Sequence, residues 1–309
     1  MNKASLTYVK KVLGDQKAKK KFGQNFLIDA NIVEKIAKGA ANKDLLTIEI
    51  GPGLGALSEF LCMYSKAVEA YEIDEDMVNI LNDEIVDSNF KVYLKDFLDV
   101  DLKQYENQKI NIASNLPYYV TTPILFKLFK SNLDINKITV MVQKEVADRF
   151  NAKVNSEDYN ALSLIVQYLF DVKLEMNVSK NCFYPAPQVD SAVVSFTPKR
   201  ERDFAYEEGL FSFIEKCFMK RRKTLNNNLK DFLDNEQIAK IYSSLNLKDN
   251  VRAQELLLAD FIKMYEVIYD WKSIWKNKFI TKYYRSKRRW LSYFRISIFT
   301  IRFLWWNKN

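Results

Sequence analysis

The segment Glu49-Ile50-Gly51-Pro52-Gly53-Leu54-Gly55 carries the plainest chemical implication in this chain. Glycines there let the backbone turn tightly and approach a ligand with no Cβ in the way. The order is G-x-G-x-G with a proline between the first two glycines, whereas a dinucleotide-binding turn has G-x-G-x-x-G, so the spacing weighs against NAD. Glu72 follows Gly51 by 21 residues. An acidic side chain at about that distance accepts hydrogen bonds from both ribose hydroxyls of an adenosine moiety. Asp96, in Lys95-Asp96-Phe97, is a candidate acceptor for an adenine amino group. Asp99 and Asp101 stand close by, and spacing alone does not choose among the three.

Asn115-Leu116-Pro117-Tyr118 points to the reaction. An amine conjugated to an aromatic ring is a poor nucleophile because its lone pair is delocalised. The side-chain carbonyl of Asn115 and the backbone carbonyl of Leu116 can accept the two amine protons and draw the nitrogen toward tetrahedral geometry, aiming its lone pair at a transferable methyl. Tyr118 can stack on the purine and hold an unpaired base. The chain contains no histidine, which excludes Ser-His-Asp triads, Cys-His pairs and imidazole bases. Positioning suffices for this chemistry, because the proton can leave after methyl transfer.

These groups need a scaffold that brings the ends of several strands together. From Leu45 the pattern alternates: LLTIEIG as a strand, LGALSEFLCMYS as a helix, AVEAYEID as a strand, EDMVNILNDEIV as a helix. The strands FKVYLKD and KINIAS, the helix TPILFKLFKSN, the strand KITVMVQK and a helix over 160–169 continue it. Such alternation predicts an α/β fold, a parallel sheet with helices on both faces. VKLEMNVS and SAVVSFTP are short-linked β segments expected to pair antiparallel. Beyond Pro198 apolar residues recur at three- and four-residue spacing, predicting a small helical domain.

The net charge of +8 is unevenly placed: Val267 to Asn309 carry eleven Lys/Arg against one acidic residue, and 1–266 carry 36 against 38. Within that near-neutral body Lys17, Lys19, Lys20 and Lys21 cluster, as do Lys220, Arg221, Arg222 and Lys223, and such clusters suit a polyanion. The final segment interleaves aromatics with Lys and Arg. Its apolar stretch, Trp290 to Trp306, includes Arg295 and Arg302 and falls short of the ~20 apolar residues of a membrane span. Cys62, Cys182 and Cys217 lack C-x-x-C spacing, so neither a disulfide framework nor a thiolate metal site is expected. With no apolar stretch near the start long enough for a signal peptide, the expected location is cytoplasmic.

In combination, QNFLID (Gln24 to Asp29), EIGPGLG, YEID, KDF, NLPYYVTTPIL, VMVQKEVADR and FYPAPQVDSAVV resemble the small-subunit ribosomal RNA adenine dimethyltransferases, the kasugamycin-sensitivity family. The likeness runs in order from about Lys21 to Lys199. It implies a class I fold dependent on S-adenosylmethionine (SAM), with no metal, acting on two adjacent adenosines near the RNA 3′ end. It further implies that Asn25 and Leu27 join Gly51, Gly53, Glu72, Asp96 and Asn115 around the cofactor, and that Phe183 faces Tyr118 across the target base. The implied partner is small-subunit rRNA in a pre-30S-type particle, met by a monomer that does not insert into membranes; in a eukaryote the location could be organellar. The expected organisation is a basic extension (1–20), a methyltransferase domain (21–200), a helical RNA-contacting domain (201–266) containing the 220–223 cluster, and a basic aromatic tail (267–309) without a counterpart in the family. Two alternatives stay open: the macrolide-resistance methyltransferases of large-subunit RNA, and a relative that keeps the fold to bind nucleic acid without catalysis.

Overall fold

A computed structural model describes residues 2–14, 23–199 and 202–269. Lys17, Lys19, Lys20, Lys21 and the tail from residue 270 lie outside them. The chain starts with α1 (Leu6–Leu13), capped by Ser5, then a two-residue strand β1 (Phe26–Leu27) and α2 (Ala30–Ala40). The alternating region comprises β2 (Leu46–Ile50), α3 (Ala56–Tyr64), β3 (Ala67–Glu72), α4 (Glu75–Glu84), β4 (Phe90–Leu94), β5 (Lys109–Asn115), α5 (Thr121–Phe129) and β6 (Asp134–Gln143). After α6 (Lys144–Phe150) and α7 (Ala161–Leu169) come β7 (Phe170–Val178), β8 (Phe183–Tyr184) and β9 (Ser191–Pro198). The last part is helical: α8 (Phe204–Phe218), α9 (Leu225–Leu229), α10 (Asn235–Leu245) and α11 (Leu258–Ile268).

Seven strands form one sheet in the order β4-β3-β2-β5-β6-β9-β7. The first five are parallel, and β9 runs antiparallel to both its neighbours. This is the predicted α/β architecture, and the expected antiparallel pairing of β7 with β9 is present. Central β2 and β5 are buried almost throughout, as strands covered on both faces must be, while β4 at the edge is largely exposed. One face packs Val33, Ile36, Leu57 and Leu61 of α2 and α3 against Val68, Ala113 and Met141. The other packs Ile48, Ile112 and Val140 against α5 and α7, and the same core extends through Phe211, Ile214 and Phe261 of the last helices.

Chain order reverses at β2, whose neighbours β3 and β5 leave on opposite sides. In open α/β sheets, ligands bind at the carboxyl ends of the strands beside such a reversal. The motifs of the sequence are at those ends. β1 pairs with β8, setting Leu27 opposite Phe183 and Phe26 opposite Tyr184, so the first motif is tied to the last.

The helical pattern after Pro198 differs in one respect from expectation. It is broken between α8 and α9, and Lys220 to Lys223 lie in the intervening turn. The Asn228 side chain, buried, accepts from Lys220 N–H at 2.8 Å and donates to the Lys220 and Thr224 carbonyls at 3.3 and 3.2 Å. Those bonds replace the helical ones the turn gives up.

Candidate active site

A cavity of about 280 Å³ opens at the carboxyl ends of β2, β3 and β5. Asn25, Leu27, Gly51, Gly53, Glu72, Asp96, Asn115, Leu116, Pro117 and Tyr118 all line it. Of the three carboxylates that spacing left open, only Asp96 does. Its Oδ accepts from Leu98 N–H at 2.8 Å and caps a 3-10 turn at Phe97–Asp99. Asp101 caps the next turn through Lys103 N–H at 3.1 Å.

The glycine loop is shaped by its neighbours. Gly53 has φ +57°, and a Cβ there would stand 3.2 Å from the Phe26 ring. Gly55, at φ +80°, starts α3, and a Cβ would meet Leu81 at 2.7 Å. Loop and clamp motif adjoin, since a Cβ on Gly51 would lie 3.8 Å from Pro117.

Glu72 holds the acidic corner. One oxygen accepts from Gly53 N–H at 3.0 Å, the other from Ile73 and Asp74 N–H at 2.9 Å each. Burial raises its carboxyl above the ordinary range, opposed by those N–H donors. Asp74 caps α4 and accepts from Gln24 Nε2 at 2.7 Å, joining QNFLID to YEID.

In the clamp, Asn115 Nδ2 donates to the Asn25 carbonyl at 3.3 Å, which leaves its Oδ1 for another donor. Leu116 N–H donates to the Met141 carbonyl at 3.1 Å. The Pro117 carbonyl is taken by Val120 N–H and the Thr121 hydroxyl at 3.2 and 3.1 Å. Among the described residues no hydrogen bond engages Asn115 Oδ1 or the Leu116 carbonyl, so both can accept from an amine. The Tyr118 hydroxyl lies 2.7 Å from Ser191 Oγ, fixing the ring. Burial raises its pKa, with the Ser191 bond opposing, so the phenol stays neutral.

Phe183 is not brought to the cavity. It is 3% exposed and packs with Leu27, Met141 and Val193. Lys220 to Lys223 are distant in sequence from the cavity-lining segments and exposed. Lys220 pairs with Asp231 at 2.6 Å and Arg221 donates to the Glu157 carbonyl, whereas Arg222 and Lys223 have no ion pair among the described residues.

Sequence reasoning passed over three lining elements. Glu49 is 1% exposed, one of its oxygens has no hydrogen-bond partner, and burial pushes its carboxyl up to about 8. Its place in E-I-G-P-G was visible, but its isolation was not. Tyr119, 56% exposed, stands at the mouth with its ring near Gly23. Lys3 and Val9 reach the cavity from the start of the chain. There α1 packs Val9 and Leu13 against Phe26, Leu54 and Met77, and Lys3 bridges to Glu84. The signal was present in Ser5 followed by Leu6, Val9 and Leu13 at helical spacing.

Among the described residues no cluster of His, Cys, Asp or Glu could hold a metal, and no helix is long and apolar enough to cross a membrane. All three cysteines are free.

A ribosomal RNA small subunit methyltransferase A of Mycoplasmopsis pulmonis is 46% identical to this chain over 249 residues, covering 81% of the chain and 98% of that protein. Its counterpart in Lachnoclostridium phytofermentans is 42% identical over 263 residues, covering 81% and 91%. Among solved structures, a dimethyladenosine transferase from Plasmodium falciparum matches with a TM-score of 0.64 at 24% identity, covering 76% of this chain and 94% of that one. The 23S rRNA methyltransferase ErmE matches at 0.59 and 22%, covering 79% and 99%. At those identities the two structures establish the shared methyltransferase fold and do not separate the two RNA substrates. The family model described as ribosomal RNA adenine dimethylase matches residues 15–270, and with the cavity, its acidic corner and the Asn115 clamp in place the chain belongs to the ribosomal RNA adenine dimethylase family.

Proposed function

We propose that this chain transfers methyl groups from SAM to the N6 amines of two adjacent adenosines, in the loop of a hairpin near the 3′ end of small-subunit rRNA. The observation that carries the reading is the joining of the Asn115-Leu116-Pro117-Tyr118 clamp to an adenosine-type cavity. The residues present fit SAM: the glycine turn leaves room for its backbone-side approach, Glu72 and Asp96 offer acceptors to ribose and adenine, and the unpartnered Glu49 oxygen suits a cationic group. When bound, SAM supplies an electrophilic methyl on a sulfonium. Asn115 Oδ1 and the Leu116 carbonyl hold the amine protons and direct the lone pair. Tyr118 stacks on the base, and Phe183 would reach the opposite face only if the base displaces its packing. No side chain need act as base before transfer.

The similarity to small-subunit methyltransferases at 42–46% identity favours small-subunit over large-subunit RNA. We extend that reading to a monomer acting on a pre-30S-type particle in the cytoplasm, with 201–266 contacting RNA through Arg222 and Lys223. An intact clamp favours catalysis over binding alone. Incubation with methyl-labelled SAM and either immature 30S subunits or protein-free large-subunit RNA tests the substrate. Label is expected in the small-subunit RNA, and label confined to the large-subunit RNA would overturn the reading.

A further inference from the structure

Lys127, on the helix that follows the clamp, is bonded to the loop that carries Asp96. Its ammonium donates to the Leu98 and Val100 carbonyls, both at 2.6 Å. It also stands 5.6 Å from the centre of the Phe97 ring. Leu98 is the residue whose N–H is held by Asp96, so the cation and the carboxylate grip opposite sides of one short 3-10 turn. That turn has few bonds of its own: Asp99 N–H to the Asp96 carbonyl at 2.9 Å and Val100 N–H to the Phe97 carbonyl at 3.2 Å. Short 3-10 segments have poor internal hydrogen-bond geometry and depend on external partners. Charge-assisted bonds from an ammonium are the stronger kind. Burial lowers the Lys127 pKa, opposed by Asp99 and Asp96, so the cation is held partly out of water among acidic neighbours. Phe97 and Asp96 both line the cavity.

We propose that Lys127 is a positioning residue for the cofactor's adenine: by clasping the 97–100 turn to α5 it fixes Asp96 and Phe97 relative to the clamp that leads into that helix. The inference rests on the assignment of Asp96 to the adenine amine. The acceptor-side motif thus ends β5 and leads into α5, and the adenine-side fastening lies six residues beyond the start of that helix. Adenine placement is thereby tied to the helix that directly follows the methyl-acceptor motif.

The test compares full-length wild type with Lys127→Met, Lys127→Gln, Lys127→Arg and Asp96→Asn. Affinities for S-adenosylhomocysteine and S-inosylhomocysteine are measured by calorimetry, alongside KM for SAM, kcat and a thermal melt. A hydrogen bond to a charged group predicts wild-type preference for the adenosyl compound of about 10- to 100-fold. Lys127→Met is expected to lose most of that preference and to raise KM for SAM ~5- to 10-fold with kcat within about twofold. Lys127→Arg, which keeps the donors, is expected to restore both, with Lys127→Gln between. A merely structural role would lower the melting temperature and the active fraction while leaving the preference intact. If Asp96→Asn loses the preference and neither Lys127→Met nor Lys127→Gln does, the proposal fails while the Asp96 assignment stands. If Asp96→Asn keeps the preference, both fall.

Discussion

Glu49 is a buried carboxyl with no cation paired to it among the described residues and one oxygen without a hydrogen-bond partner. Its pKa lies near 8 in the folded chain because burial disfavours the anion. The unfolded carboxyl ionises near the ordinary value of about 4.3. Between those pH values the unfolded state has released a proton that the folded state keeps, so stability falls as pH rises through this window and levels off above pH 8. Glu49→Gln should therefore be more stable than wild type by a margin that grows from about pH 4 to pH 8 to a few kcal/mol at most, as read by denaturant titration at each pH. A cationic ligand in the cavity reverses the preference and favours the carboxylate. SAM affinity of wild type is expected to tighten from pH 6 to pH 8, and that slope should flatten in Glu49→Gln. Sequence pattern placed Gly51, Gly53, Glu72 and Asn115 at the site because their spacing reflects strand ends. It could not reveal Glu49's isolation or choose Asp96 over Asp99, since both depend on which way a turn faces. Phe183 stands in an equally clear motif, but its ring packs with Leu27, Met141 and Val193 and is not among the residues that line the cavity, which spacing could not show.

At the scale of elements, the site depends on how turns and helix ends are fastened. Gly55 starts α3 at a positive φ with Leu81 directly where a Cβ would go. Gly55→Ala should destabilise the fold by about 1–3 kcal/mol and weaken cofactor binding, because α3 cannot keep both its start and its seat on α4. Chemical denaturation and SAM titration on the same sample would measure the two effects. The strands and most helices were legible because burial on one or both faces leaves a period in the sequence. The break between α8 and α9 was not, because it depends on a side chain, Asn228, reaching back to backbone eight residues earlier. The apolar face of α1, Val9 and Leu13 at helical spacing after Ser5, was equally plain in the sequence, whereas the lysine cluster that follows it lies outside the described residues.

For the whole molecule, the last helices are joined to the sheet by more than apolar packing. Arg202 donates to Glu207 at 2.7 Å and to the Phe129 and Ser131 carbonyls at 2.6 and 3.2 Å, pinning the start of α8 to the end of α5. Glu207 is 1% exposed. Arg202→Ala leaves that charge buried and unpaired and should cost roughly 3–5 kcal/mol in unfolding free energy. RNA binding is a separate property of this region. If Arg222 and Lys223 each meet a phosphate, replacing both with alanine should lower the slope of log affinity against log salt by about 0.7–0.9 per contact, while Lys220→Ala, which breaks the pair with Asp231, should change it less. The overall charge of +8 gave no guide to this surface, since the excess belongs to the segment from Val267 onward.

In the proposed reaction the Asn115 side chain, with the Leu116 carbonyl, orients an adenosine amine for methylation. Asn115→Ala tests it most directly, by methyl incorporation into immature 30S subunits together with SAM and RNA affinity. The expected result is a loss of about 10²- to 10³-fold or more in the rate of transfer, with RNA affinity largely kept and SAM affinity changed far less than the rate. Methyl incorporation at the wild-type rate in Asn115→Ala would contradict it.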